Sequence, residues 1–387
     1  MDDSHLKILI ADPHSQGGGQ VRYVATLARA LTRFSHSVTI ACRPGSVLTD
    51  AAREADCALL DRFTFRGGLR PRAWGHDLWE AMAFIRRERP HILHVNGSQD
   101  HWTFALANRI LGCPACLVRT RHNTYKVGGS FPNRLLNRHW TDYQIVVCDA
   151  VRRDLAAQRT FDPVRMCTLH NGVDPEKYTA NPETRARARA EFGYADENIV
   201  CGIVARLVED KGHQYLFRAV AQMRRDFPEL RVLCMGQGVL EPQLRQLAEK
   251  LGIADIVRFA GFRNDIPSCL QALDLGVQPS IGCEASPFSV REMMSLEIPM
   301  IVSDYGGLRE SVSDGVEGLV VRAAEVEPLA AALRRLLSSP EARARMGRMG
   351  RRRVMADFSE EVFARRTEQA YRRAMGFHRQ RRGRGNG

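Results

Sequence analysis

The chain has 387 residues, 44% of them hydrophobic, and a formal net charge of +12 at pH 7. That length exceeds what one hydrophobic core usually serves and suits two domains, with apolar content enough to bury a sizeable core. No apolar run approaches the roughly 18 to 20 residues a membrane-spanning helix needs, and the opening Met1-Asp-Asp-Ser-His5 lacks the character of a signal peptide, so the expectation is a soluble, intracellular protein.

In chain order, Leu6 to Ala11 reads as a strand, Gly17 to Gly19 as a turn and Val21 to Leu31 as an amphipathic helix. Glycines at a strand-to-helix turn let a phosphate or sugar approach the backbone, with Gly18 and Gly19 as the candidate contacts. A plain tight turn is the other reading, since the spacing is not the dinucleotide Gly-x-Gly-x-x-Gly pattern. The next strand-like run, Ser37 to Ala41, ends at Cys42-Arg43. It offers no acidic residue for a nicotinamide ribose, which disfavours an NAD enzyme. His91 to Val95, the helical Trp102 to Leu111, Ala115 to Thr120 and Tyr143 to Val147 continue the alternation, so a parallel α/β sheet is expected. His122 follows one of these strands, either as a satisfied structural histidine or as a hydrogen-bonding group for a ligand.

Two stretches of the first half mix aromatics with cations: Arg62-Phe-Thr-Phe-Arg66 with Arg70, Arg72 and Trp74, and Lys126 with Phe131, Arg134, Leu135, Arg138 and Trp140. A surface of net charge +12 attracts nucleic acid or anionic lipid. Rings beside arginines suit a membrane interface, whereas no zinc-finger or RNA-recognition motif supports a nucleic-acid partner. A solvated face with a few packed aromatics is the alternative. The ten cysteines lie mostly in apolar runs, as Cys148, Cys201 and Cys234 do, which suits reduced core residues. The close pair Cys113 and Cys116 has no second pair or spaced histidines to make a zinc set, so no metal is expected.

The turn cluster Asn171-Gly-Val-Asp-Pro175 and the charged stretch Glu183 to Glu191 mark a domain change, with a hinge expected between residues 175 and 197. Beyond it the strand-like Ile199 to Ala205 delivers Arg206 and Lys211 to the carboxyl edge of a sheet. There two cations can hold a diphosphate or form a solvated cluster. A second strand-like run, Asp274 to Pro279, precedes Glu284 in a turn and Glu292 on a helix that spans Phe288 to Leu296. Ser286 is the expected N-cap and Pro287 the first helical residue. The free N–H groups of that first turn favour an anion, and a carboxylate near bound phosphates is best explained if it accepts from hydroxyls, Glu292 from a ribose and Glu284 from a sugar. Exposed charges at a helix start are the plainer reading. The two glutamates are too close in sequence to flank a glycosidic bond as a hydrolase pair.

Glu284 to Glu292, Met293 to Asp304, Gly306-Gly-Leu-Arg-Glu310 and Asp314-Gly-Val-Glu-Gly-Leu319 together resemble the GT-B retaining glycosyltransferases of family 4. Asn171-Gly-Val-Asp174, Arg206 with Lys211, Gly236-Gln-Gly238 and Phe259-Ala-Gly-Phe262 match in the same order. The resemblance implies an α/β fold of two Rossmann-like domains facing an interdomain cleft. Residues 1–175 would form the acceptor domain, 176–358 the nucleotide-sugar donor domain and 359–376 a helix crossing back to the first domain, with 377–387 a basic disordered tail. It implies catalytic roles for Arg206, Lys211, Glu284 and His122, and a donor site of Gly18, Gly19, Arg206, Lys211, Phe262, Glu284, Phe288, Ser289 and Glu292. The expected reaction moves a hexose from a nucleotide-diphosphate sugar to a glycan or lipid-linked acceptor at the inner face of the cell membrane, with no cofactor. No Asp-x-Asp pair is present to hold a metal–diphosphate. Ala285-Ser286-Pro287 stands where many members have Gly-Phe-Gly, a variant similar to some enzymes of lipopolysaccharide and surface polysaccharide assembly. A non-catalytic sugar-nucleotide or glycan-binding protein on the same fold is the rival reading.

Overall fold

Alternating apolar and helical segments close into two parallel sheets in the computed structural model, which describes residues 5–67, 70–125 and 127–384. The chain divides into one unit of Met1–Gly172 with Glu360–Gly387 and a second of Val173–Ser359.

In the first unit, β1 (Lys7–Ala11), β2 (Ser37–Ala41), β3 (Ala58–Leu60), β4 (Ile92–Val95), β5 (Cys116–Arg121), β6 (Tyr143–Val146) and β7 (Met166–Thr168) form one sheet in the order β3-β2-β1-β4-β5-β6-β7. Its central strands are buried on both faces, as β4 and β6 are throughout, which is why they read as mostly apolar rather than as alternating runs. Helix Gly19–Arg33 buries Tyr23, Val24, Leu27 and Leu31 along one stripe, each large aliphatic group contributing about 1.5–3 kcal/mol. The strand order reverses between β1 and β4, the kind of sheet edge at which ligands bind in open parallel sheets.

The second unit repeats the plan. Strands β8 (Ile199–Val204), β9 (Leu230–Met235), β10 (Val257–Gly261), β11 (Leu275–Gln278), β12 (Met300–Ser303) and β13 (Gly318–Val321) lie in the order β10-β9-β8-β11-β12-β13, all pairs parallel. Here the order reverses between β8 and β11. A core of Ile203, Leu216, Phe217, Val232, Val277, Leu333 and their neighbours fills one face.

Three expectations need correction. The unit boundary falls at residues 172/173 and 359/360, not within 175–197. The charged stretch there forms helix Pro182–Glu191, tied into the second unit by Arg185 and Arg189, both paired with Asp274 at 2.6 and 3.2 Å. The last helix runs from Glu360 to Arg384 through most of the segment expected to be disordered, because its basic end has a buried partner. Asp142 accepts from Arg381 Nη1 at 2.8 Å and lies 3.0 Å from His378 Nδ1. Upstream on the same helix, Tyr371 OH bonds His94 Nδ1 at 2.6 Å, and His94 Nε2 meets Thr120 Oγ1 at 2.6 Å. Finally, Phe63 and Phe65 do not face outward. They are buried, stacked at 4.7 Å, and packed on Phe104. Trp140 packs edge-on against Trp102 at 6.1 Å, and Arg138 donates to Phe161 O at 2.6 Å. Trp74 and Phe131 remain exposed, and Lys126 lies outside the described residues.

Candidate active site

In the second unit the loops leaving β8 and β11, the two strands at the reversal, are laced together through backbone. Ile281 N and Gly282 N both donate to Asp210 O, at 2.8 and 3.2 Å. Gly212 sits at φ 70°, and a Cβ there would lie 2.0 Å from Pro279 O, so only glycine lets the two loops approach this closely.

This lacing brings Lys211 to Glu284. The ammonium lies 2.6 Å from Glu284 Oε2 and 3.5 Å from Cys283 O. The same oxygen accepts from Ser280 Oγ at 3.0 Å and Gln278 Nε2 at 3.3 Å, so three donors converge on a carboxylate that is only 7% exposed. Burial of that kind is tolerable only for a paired and hydrogen-bonded charge. Glu284 is held by its backbone as well: Gly307 N donates to Glu284 O at 3.0 Å, and Gly306, at φ 56°, leaves just enough room for it. Arg206, at the end of β8, is exposed, with no side-chain partner among the described residues. His213, directly beyond Lys211, is buried, and burial together with the Lys211 charge pushes its pKa down to about 4; it stays neutral.

Helix Phe288–Ser295 carries Glu292 inward. Its carboxylate is 1% exposed and accepts from Tyr178 OH at 2.7 Å, a partner that sequence inspection did not find. The helix start differs from the expectation: Pro287 is the N-cap residue and Phe288 the first helical one, with no side-chain cap. Ser286 instead accepts from Arg291 Nη1 at 2.7 Å. Arg291 is fully buried, donates also to Ser311 Oγ at 3.1 Å, and lies 4.4 Å over the ring of Phe358. Phe288 is buried, Ser289 half-buried and Phe262 exposed at the end of β10.

His122, Gly18 and Gly19 belong to the first unit, at the carboxyl edge of its sheet. Gly18, at φ 156°, precedes helix Gly19–Arg33, and a Cβ added at Gly17, Gly18 or Gly19 would meet nothing within 4 Å. His122 Nε2 lies 2.9 Å from Asn96 Oδ1, and its ring packs edge-on against Tyr23 at 4.5 Å. Burial, then the neighbouring Arg119 guanidinium, hold its pKa well below the ordinary value. It is a neutral, oriented imidazole.

Behind it lies a buried charged group that sequence inspection missed. Asp100 accepts from the backbone N–H of Asn96 and Gly97 at 2.7 and 3.0 Å, and Arg119 lies 3.8 Å away. Burial pushes the Asp100 pKa up to about 6 against the opposing pull of Arg119. Asp12, at the end of β1, is 0% exposed and its Oδ1 accepts from His14 N at 2.7 Å, with His14 Nδ1 at 2.8 Å. The signal was in the sequence: two polar residues around a proline directly after an apolar strand.

Among the described residues one group has the donor set for a metal, Cys116, Asp142 and His378, whose ligating atoms lie within 4.8 Å of one another. Arg381 already occupies that carboxylate, and a guanidinium there opposes a cation, so the group serves as the anchor of the last helix. Cys113 and Cys116 are free thiols, like the other eight cysteines.

Residues 17–177 match the family model described as Glycosyltransferase Family 4, and residues 184–353 the model described as Glycosyl transferases group 1. The alpha-D-kanosaminyltransferase of Streptomyces kanamyceticus is 30% identical over 283 residues, 68% of this chain and 72% of that one. A GDP-mannose-dependent monoacylated alpha-(1-6)-phosphatidylinositol monomannoside mannosyltransferase of Corynebacterium glutamicum is 32% identical over 207 residues, 51% of this chain and 54% of that one. The chain spans about half the length of several curated relatives it matches. Among solved structures, Anabaena HepE in complex with UDP superposes with a TM-score of 0.81 at 20% identity, over 94% of this chain and 99% of that one; at that identity the likeness speaks for the fold.

Proposed function

Since the chain belongs to glycosyltransferase family 4, the glycosyl transferases group 1, and has their GT-B fold, we propose that it transfers a hexose from a nucleotide-diphosphate sugar with retention of configuration. The observation that carries this reading is Lys211 held against Glu284 at 2.6 Å, at the strand-order reversal of the second unit, with the exposed Arg206 at the neighbouring strand end. In a doubly wound sheet that is where ligands bind. When the bond from the sugar's anomeric carbon to the diphosphate breaks, its electron pair stays on a phosphate oxygen. Arg206 and Lys211, with the positive end of the helix that begins at Phe288, offset that charge without calling on a metal. Glu284, with Ser280 and Gln278 beside it, receives the sugar hydroxyls, Glu292 the ribose, and Phe262, Phe288 and Ser289 complete the nucleotide pocket. Gly18 and Gly19, which no packing constraint explains, leave backbone open to the ligand, and His122 presents its neutral ring to the transferred sugar.

The acceptor in this proposal is a glycan or lipid-linked saccharide at the anionic inner face of the cell membrane, as in lipopolysaccharide or surface polysaccharide assembly. Support comes from the net charge of +12, the exposed Trp74, Trp79 and Phe131, and the lipid acceptor named for the Corynebacterium relative.

The test is release of nucleoside diphosphate from a panel of UDP- and GDP-sugars. The native protein releases it, and Lys211→Ala lowers turnover by roughly 10²- to 10³-fold with the fold intact. Equal release by the variant contradicts the role given to Lys211. A panel member that raises the melting temperature but is never consumed marks a binding protein instead.

A further inference from the structure

Between Glu284 and the helix that starts at Phe288, the segment Ala285-Ser286-Pro287 is tied down from inside by a guanidinium that the proposed reaction leaves unused. We propose that Arg291 is a positioning residue: through Ser286 it fixes this segment as the wall against which the transferred sugar rests, and thereby sets how sharply the site distinguishes one donor sugar from its epimer. The inference deepens the transferase reading above and rests on it.

Arg291 stands directly before Glu292 on helix Phe288–Ser295, and its side chain is 0% exposed. Its two terminal nitrogens reach two different loops. Nη1 donates to Ser286 Oγ at 2.7 Å and Nη2 to Ser311 Oγ at 3.1 Å. Ser311 closes helix Leu308–Ser311, and its hydroxyl donates onward to Gly307 O at 3.4 Å. Gly307 N in turn donates to Glu284 O at 3.0 Å. A ring of hydrogen bonds results, running from Glu284 through Gly307, Ser311 and Arg291 to Ser286 and closing on the short segment where it began. The ring of Phe358 supports the guanidinium from one face at 4.4 Å.

The chemistry of this arrangement points to positioning. A core position that only needed filling would take a leucine or methionine at lower cost, since a buried guanidinium must be desolvated before it gains any bond. What arginine adds is a rigid planar fork that spans two acceptors at once, which a single ammonium does not match. The segment has little other freedom to fix. Pro287 holds φ at −69°, so Ala285 and Ser286, 6% and 8% exposed, are its movable part. The Glu284 carboxylate keeps its own supports in Lys211, Ser280 and Gln278. Loss of the Arg291–Ser286 bond therefore loosens the wall without releasing Glu284 or the cations assigned to the diphosphate. Ala285-Ser286-Pro287 and Arg291 work as one device, with Ser286 supplying the acceptor that Arg291 requires.

The experiment measures nucleoside diphosphate release, with water as acceptor, from two pairs of epimeric donors: UDP-glucose with UDP-galactose, and GDP-mannose with GDP-glucose. The native protein prefers one member of a pair. Ser286→Ala shrinks that preference in kcat/KM by roughly 10-fold and lowers kcat for the preferred donor by roughly 10- to 10²-fold, while the melting-temperature rise given by the matching free UDP or GDP persists. Arg291→Met does the same, and the two changes together are no worse than either alone. Arg291→Lys recovers part of the preference. A preference unaltered in Ser286→Ala overturns the inference, and this variant decides alone where Arg291→Met does not fold. Additive losses in the double variant overturn it too, as does a fall shared equally by both epimers, which would make Arg291 a prop of the fold only. A native protein whose melting temperature no nucleotide raises, or that binds these donors and consumes none, overturns the transferase reading and this inference with it; native turnover with an unaltered preference in the variants overturns this inference alone.

Discussion

Lys211 and Glu284 are 73 residues apart in sequence and 2.6 Å apart in space; Tyr178 and Glu292 are 114 apart and meet at 2.7 Å. The types of the first pair were readable as a cation and a carboxylate beside strand ends, yet nothing local said they would touch. Tyr178 was invisible, because a tyrosine after a turn cluster has no pattern that announces a buried carboxylate partner. Its role can be checked directly. Tyr178→Phe removes one donor from a carboxylate that is 1% exposed, which should cost about 1–3 kcal/mol in denaturant unfolding and, if Glu292 holds the ribose, raise the donor KM several-fold while kcat changes little. Unaltered stability together with unaltered KM would exclude Tyr178 as the group that sets Glu292.

Among the elements, strands were the most legible, since a strand buried on both faces is mostly apolar. The helix beginning at Phe288 was legible in kind but not at its first residue: Arg291 recruits Ser286 as an acceptor and so withdraws it from capping. In the aromatic and basic stretches the alternative of a few packed aromatics holds for Phe63 and Phe65. Composition does not reveal which ring has a cavity to fill, and Phe63 and Phe65 had Phe104 waiting for them. What is left outward is Trp74 and Trp79 on helix Pro71–Glu88 and Phe131 at the start of helix Phe131–Arg134. Anionic vesicles should therefore bind the protein in a salt-sensitive manner. Phe131→Ala with Trp79→Ala should weaken sedimentation with phosphatidylglycerol vesicles, and indifference to such vesicles at low salt would reject the membrane assignment.

At the scale of the whole molecule, buried histidines set the acid limit. Burial holds the His94 pKa down to about 3 and that of His213 to about 4, and it keeps His101 and His122 well below the ordinary value. Each is neutral when folded and takes up a proton when unfolded below pH 6.5, so its contribution is complete above that pH and is lost as pH falls. For His94 the loss at pH 5 is about 2 kcal/mol, and His101 acts in the same direction. Asp100 works the other way: with its pKa up at about 6, it returns about 1 kcal/mol over the same interval. Three of the four histidines lie in the first unit, as do all four tryptophans. Tryptophan fluorescence should accordingly report a melting temperature that drops between pH 7 and 5 by more than that of a calorimetric transition assigned to the second unit. Parallel behaviour of the two would contradict this account.

Sequence alone determined what depends on neighbours along the chain: two α/β units, the strand-to-helix turns that carry the glycines and charges, and the motif order that marks the family. Tertiary structure decided which distant groups meet. It placed Asp142 under the last helix, turning an expected loose tail into an anchored one, and it put Ser280 and Gln278 around Glu284. It also set a buried carboxylate beneath His14. The physical reason is that periodicity records burial, a property of one residue and its face, whereas a hydrogen bond or ion pair in the interior is a property of two, fixed only when strand order brings their loops to the same edge.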